Sequence, residues 1–316
     1  MFRQIVALLL FVFANLAHAL PSCTVSTADA NFGVYDNTAG SPLDSTSGSI
    51  TVTCSDTALS TPRSMYYEIK LGAGGGGSYA PRVMPNGSFN LNYYLYRSAS
   101  YNAGNVWGDA TTGSSFTLAS CITVPAGGSP SIPAVHLVHG RIPAAQTPVA
   151  VGRYADTLSV SMVLYGDCAS GTAAPSTLIS SPLLAVQADV IPKCIIATGP
   201  YNMDFGDYTR GGGGKTADAK IGVTCPANTS YSIALSGLES GIRYLVRGAN
   251  RLEYNLYSNA GLTSVVGETD RVDTIDGIGT GLRVDTTIYG RLPDSTANQT
   301  VPPGLYQAVV TITVSY

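Results

Sequence analysis

Apolar and polar residues alternate at period two in short runs along most of the chain. Ile50, Val52 and Cys54 form one run, and Tyr67, Ile69 and Leu71 a second. Leu158, Val160, Met162 and Leu164 form a third, and Val310, Ile312 and Val314 a fourth. That period puts the apolar side chains on one face of a β-strand. Turn formers separate the runs: a Gly-rich stretch at 72–77, Pro85-Asn86-Gly87, and four consecutive glycines at 211–214. No run follows the helical period. The pattern predicts an all-β protein made of antiparallel sandwiches, although alternation alone does not separate a sandwich from a barrel.

The same blocks occur twice, in the same order. Residues 31–35 (NFGVY) answer 204–208 (DFGDY), and 50–54 (ITVTC) answer 221–225 (IGVTC). Residues 67–71 (YEIKL) answer 231–235 (YSIAL), and 91–96 (LNYYLY) answer 252–257 (LEYNLY). Residues 139–142 (HGRI) answer 289–292 (YGRL), and 152–154 (GRY) answer 304–306 (GLY). Residues 158–165 (LSVSMVLY) answer 309–316 (VVTITVSY). The chain therefore holds one domain twice, expected at 20–168 and 193–316, joined by 169–192. Copy one has about 21 extra residues, and its largest insertion, between Asp109 and Gly140, brings Cys121.

Charge narrows the function. Charged residues are 12% and the formal net charge is −3, so there is no basic stripe for nucleic acid. At the N-terminus, Arg3, an apolar run at 5–14 and Ala17-His18-Ala19 form a secretory signal with cleavage expected after Ala19. Six cysteines follow: Cys23, Cys54, Cys121, Cys168, Cys194 and Cys225. An even count in an exported chain reads as disulfides, with 15 possible connectivities. Cys23 to Cys54 and Cys194 to Cys225 both span 31 positions. If each is a bridge, Cys121 and Cys168 remain for the third. There is no C-x-x-C, so a metal site is poorly supported. No Gly-x-Ser-x-Gly elbow or orienting carboxylate nominates a catalytic group. The chain is read as no enzyme, with no catalytic residue, metal or cofactor.

The order Cys…FGxY…VTC…YxIxL…LxYxLY…YGR…GxY…VTVxY resembles the spore coat protein U domain. That fold is shared by pilins of the archaic (Csu-type) chaperone–usher pili. The resemblance covers nearly all of the chain after the signal and is closest for copy two. It implies two tandem immunoglobulin-like, pilin-type β-sandwiches. It also implies a periplasmic chaperone, an outer-membrane usher and a next subunit joined by donor-strand exchange. Two-domain members resemble tip adhesins, which implies a place at the cell surface, at the pilus tip, and a role in attachment and biofilm formation.

Three expectations follow. A complete sandwich has a strand after the Leu158–Leu164 run, and copy two reaches Tyr316 without one. Its last strand should be missing, and Val310, Ile312 and Val314 should flank a strand-acceptor groove. In copy one, Leu184, Val186, Ala188 and Val190 alternate and either complete that copy or begin copy two. Second, cleavage after Ala19 leaves Leu20-Pro21-Ser22 before Cys23, too short to donate a strand, which places the subunit first in a fibre. Third, the loops peculiar to copy one are expected to meet an abiotic or host surface: Val83, Met84, Val124, Pro125, Ile132, Pro133, Val149 and Val151, if they share one end of the sandwich. Val135 and Leu137, alternating about His136, are read as core. The alternatives are a structural subunit or coat protein without adhesive role, and a lectin using Tyr93, Tyr94, Tyr96, Tyr101 and Trp107.

Overall fold

The computed structural model describes residues 21–316 apart from 114, 174, 175, 181, 198 and 200. The expected signal peptide, 1–19, lies outside the described residues. Copy one is built from β1 (Ser22–Ala28), β2 (Ala30–Val34), β3 (Leu43–Ser55), β4 (Arg63–Leu71), β5 (Arg82–Asn86) and β6 (Phe89–Tyr96). It continues through β7 (Leu118–Val124), β8 (Ala134–Ile142), β9 (Gly152–Leu158), β10 (Val160–Asp167), β11 (Thr177–Ser180) and β12 (Leu184–Val190). One layer is the sheet β1-β3-β8-β6-β5. The other joins β7-β4-β10-β11 to β9-β12-β2, because only Ser159 separates β9 from β10 and the two form one long strand. Period-two burial in β4, β9, β10 and β12 fills the space between the layers.

Copy two repeats the plan with fewer strands: β13 (Ile195–Ile196), β14 (Lys215–Thr224), β15 (Ser230–Leu235), β16 (Arg243–Arg247), β17 (Asn250–Tyr257), β18 (Ile275–Ile278), β19 (Arg283–Leu292) and β20 (Ile312–Ser315). Its layers are β13-β14-β19-β17-β16 and β18-β15-β20. Strand register corrects one block of the sequence repeat. Ile69 pairs with Met162 in copy one, and Ile233 with Val314 in copy two. Val160 therefore answers Ile312 and Leu158 answers Val310, one position later than the 158–165/309–316 alignment. A one-residue slip turns every strand side chain to the opposite face, so only the later register keeps the apolar set inward.

Of the two roles open to Leu184–Val190, the structure shows completion of copy one. β12 runs antiparallel to β9 from Leu184↔Leu158 to Val190↔Gly152, and parallel to β2 on its other side. Leu184, Val186, Ala188 and Val190 all point inward and are buried. Copy two has no such strand among the described residues. Its counterparts of β2 (203–208) and β9 (304–310) run beside each other without a ladder between them.

All three disulfides are Cys23–Cys54, Cys121–Cys168 and Cys194–Cys225. The junction between the copies is backbone-bonded. Ala227 N donates to Val149 O (2.7 Å) and Val151 N to Ala227 O (3.1 Å). Lys193 Nζ bonds Asp36 Oδ2 at 2.5 Å, which holds the Asp36 carboxyl down at about 2.

Candidate functional site

The repeated FGxY block and the repeated GxY block supply the two walls of a groove in copy two. Met203, Phe205 and Tyr208 stand on one side, and Tyr306, Ala308 and Val310 on the other. Leu245, Leu252 and Leu292 lie at its base. A cavity of about 790 Å³ opens between them. A second, of about 140 Å³, lies against Phe205, Tyr254, Ala308, Val310 and Ile312. Phe205 meets Tyr254 edge-on, with centroids 6.0 Å apart. In copy one the matching residues Phe32, Tyr35 and Tyr154 are buried, and Tyr35 N donates to Asp189 O of the β12 strand at 2.8 Å.

Of the expected groove residues, Val310 and Ile312 line the cavity. Val314, further along the β15–β20 ladder opposite Ile233, does not. All three are half-buried, whereas Leu158, Val160 and Met162 are buried. The difference is the cover that β11 and β12 provide in copy one. Outward, Leu305 and Val309 are 79% and 92% exposed. Sequence reasoning missed the opposite wall, Met203, Phe205 and Tyr208, although the FGxY repeat carried its signal.

The expected surface loops do not share one end. Loop 125–133 lies at the end away from copy two, where Gly127 N donates to Leu59 O (3.0 Å) and Gly128 N to Asp56 O (3.1 Å). Val149 and Val151 lie at the opposite end, in the junction with copy two. Val124, Met84 and Val149 are fully buried, because each falls on the inward phase of a strand or under the junction. Val83, Pro125 and Val151 are half-buried. Ile132 and Pro133 are exposed, Ile132 at 89%. Val135 and Leu137, expected in the core, face outward; β8 turns His136 inward instead, in phase with the buried Val138 and Ile142. Ile132, Pro133, Val135 and Leu137 thus form an exposed apolar trail from the far end onto the outer face of β8.

Tyr67 OH and His136 Nε2 are hydrogen-bonded at 2.6 Å, the phenol donating when the neutral ring carries its proton on Nδ1. Burial pushes the His136 pKa below its ordinary value. A folded-state pKa below the unfolded one means the unfolded chain binds the proton more readily. Stability is therefore full above about pH 6.5 and declines as pH falls below it. Thermal melts of copy one between pH 7.5 and 5 are expected to drop by a few degrees, and His136→Gln is expected to flatten that slope.

The proposed aromatic platform divides. Tyr93 and Trp107 are core residues, Trp107 Nε1 donating to Ile69 O at 3.1 Å. Tyr94, Tyr96 and Tyr101 pack on one another on the outer face, with the Arg141 guanidinium 4.0 Å over the Tyr101 ring. Arg141 is itself forked onto Asp44 at 2.7 and 2.8 Å.

Two tandem β-sandwiches, the first closed by an inserted strand and the second open at the same place, define a pilin-type architecture. The chain belongs to the Spore Coat Protein U domain family, whose sequence pattern matches residues 9–161 and again 181–313. No curated relative matches the sequence. Among solved structures it is similar to a chain of the CsuC–CsuE chaperone–tip adhesion subunit pre-assembly complex from archaic chaperone–usher Csu pili of Acinetobacter baumannii. That likeness has 15% identity and a TM-score of 0.49, covering 93% of this chain and 100% of that one. It is also similar to the CupB6 tip adhesin from Pseudomonas aeruginosa, at 9% identity and a TM-score of 0.36, covering 93% of each chain. A chaperone–tip adhesin complex of CFA/I fimbriae biogenesis matches at 11% identity and a TM-score of 0.33, covering 94% of this chain and 98% of that one.

Proposed function

We propose that this chain is a subunit of an archaic chaperone–usher pilus whose second copy accepts a strand from another subunit. The observation that carries the reading is β12. The second family match begins at 181, ahead of Cys194, so β12 belongs by sequence to the second unit. By pairing it belongs to the first. Within one chain, the leading segment of one unit completes the unit before it. Copy two has the same two walls and an open groove between them. An apolar cleft flanked by unpaired backbone is a template for strand addition. The occupant is first a periplasmic chaperone and then the next subunit, handed over at an outer-membrane usher.

Plugging the groove tests this. Ala308→Trp is expected to abolish co-purification with the chaperone and with the next subunit, leaving the melting of copy one unchanged. Co-purification at the level of the unaltered chain would contradict the reading.

The exposed apolar trail on copy one supports the adhesive part. Burying apolar surface is favourable by about 25 cal/mol per Å² and is non-directional, which suits attachment to many surfaces and so biofilm formation. Ile132→Asp combined with Val135→Asp is expected to cut attachment to plastic about tenfold or more, with pilus number on cells unchanged. Undiminished attachment would make the chain a structural subunit. The tip position is tested by immunogold labelling of copy one, with one particle per fibre end expected.

A further inference from the structure

If copy two accepts a strand, the incoming strand must satisfy what lies at the groove floor, and there one copy has a carboxylate that the other lacks. In copy one, Arg82 is fully buried and donates to Gly72 O (3.0 and 3.2 Å), Trp107 O (2.6 Å) and Tyr79 O (3.4 Å). Beside it, Tyr93 OH donates to Asp156 Oδ2 at 2.6 Å. Asp156 Oδ1 accepts from Gly75 N (2.9 Å) and Thr157 N (2.8 Å). Asp156 sits on β9 directly opposite Val186 of β12.

Copy two keeps the arginine and the tyrosine. Arg243 and Tyr254 both lie 161 positions after Arg82 and Tyr93. Arg243 donates to Leu235 O (2.5 Å), Val266 O (2.6 Å) and Ser236 O (2.9 Å), the same kind of carbonyl set. The acid is not kept: the β9 register puts Ala308 where copy one has Asp156. The Tyr254 hydroxyl has no hydrogen-bond partner among the described residues. Arg243 Nη1, in a side chain with no exposed surface, has none either. Glu268 and Asp273 lie near Arg243 but are engaged elsewhere, Glu268 with Gly237 N (3.0 Å) and Asp273 with Thr269 N (2.7 Å). Tyr254 and Ala308 both line the 140 Å³ cavity.

We infer that the strand completing copy two carries a carboxylate, Asp or Glu, at the inward position opposite Ala308, the position Val186 holds in β12. The inference rests on the strand-acceptor reading above. Residues directly opposed in an antiparallel pair have Cβ atoms about 4.5–5.5 Å apart. An acid there reaches over the small Ala308 into the space that the Asp156 carboxylate fills in copy one, where it accepts from the Tyr254 hydroxyl as Asp156 accepts from Tyr93, with the buried Arg243 charge nearby as Arg82 is in copy one. In β12 that position lies eight residues ahead of Cys194, which gives the register for locating it in a partner. The arrangement also sorts strands. An acidic strand meets Asp156 in copy one and is repelled, whereas a Val-bearing strand fits there and leaves the Tyr254 hydroxyl of copy two unmet.

The test uses the full chain and synthetic peptides of residues 183–191 with position 186 as Val, Asp or Glu. Calorimetric titration is expected to show the tighter of the two acidic peptides binding at least tenfold more tightly than the Val peptide. Tyr254→Phe should shrink that preference, and Ala308→Asp should reverse it. A Val peptide that binds the unaltered chain as tightly as the acidic ones overturns the inference while leaving the acceptor reading standing. If no peptide binds, the acceptor reading itself fails.

Discussion

Val186→Asp in the full chain is expected to unfold copy one at a temperature lower by about 10 °C or more. Val186 is fully buried and faces Asp156 across the β9–β12 ladder. The Asp156 oxygens already accept from Tyr93, Gly75 and Thr157, so no donor remains for a second carboxylate. The new group must either ionise beside a like charge or protonate in an apolar groove. Leaving a charge unpaired in the interior costs about 3–5 kcal/mol, a large part of the roughly 5–15 kcal/mol that holds a domain together. Val186→Ala controls for lost volume and should cost only about 2 kcal/mol. Scanning calorimetry checks both, because copy two has its own core and its transition should stay in place. Equal losses for Ala and Asp would mean that β12 is held by volume alone and that Asp156 does not define its groove.

Arg82→Met is expected to destabilise copy one by a similar amount, about 3–5 kcal/mol. The side chain is fully buried and ties together the turn after β4, the segment before β5 and the strand-like stretch at Trp107. Methionine fills much of the volume and makes none of these bonds. The carbonyls of Gly72, Tyr79 and Trp107 are then left in the interior, where each orphaned polar group costs about 1–3 kcal/mol. Arg82→Lys keeps the charge but loses the fork, and an intermediate loss is expected. Urea unfolding of the three proteins orders them. A Met variant as stable as the parent would show that the buried guanidinium is replaceable packing. Arg243→Met makes the same prediction for copy two, since Arg243 likewise ties together three carbonyls, of Leu235, Ser236 and Val266.

What the sequence made legible divides along physical lines. The duplication and the strands follow from period two and from repeated blocks, which are local signals. The FGxY and GxY repeats even mark both walls of the groove. What was not legible depended on phase and on where loops end up. Val135 and Leu137 alternate with His136, and either set could face inward. Val138 and Ile142, buried further along the same strand, set the phase that turns His136 inward, and there the ring meets the Tyr67 hydroxyl, 69 positions away. Val124 and Met84 sit among prolines and glycines that suggest loops, yet Val124 ends β7 and Met84 is central in β5, both on the inward phase. Val149 looked like a surface loop residue because its partner, Ala227, belongs to the other copy. The Arg–Tyr–Asp cluster drew no attention in sequence because Arg82, Tyr93 and Asp156 are scattered over three strands. Only their register shows that copy two repeats two of the three.

The central claim is that copy two is completed by a strand from outside its own fold, as copy one is completed by β12. Amide hydrogen exchange on the full chain tests it most directly. In the free chain, segments 30–34 and 152–158 should be protected by β12, while 203–208 and 304–310 exchange at near-unprotected rates except at Gln307, whose N–H already donates to Val246 O. On assembly with the next pilus subunit, both of the latter segments should slow by about a hundredfold or more. Protection of 203–208 and 304–310 already in the free chain, or no slowing on assembly, would contradict the account.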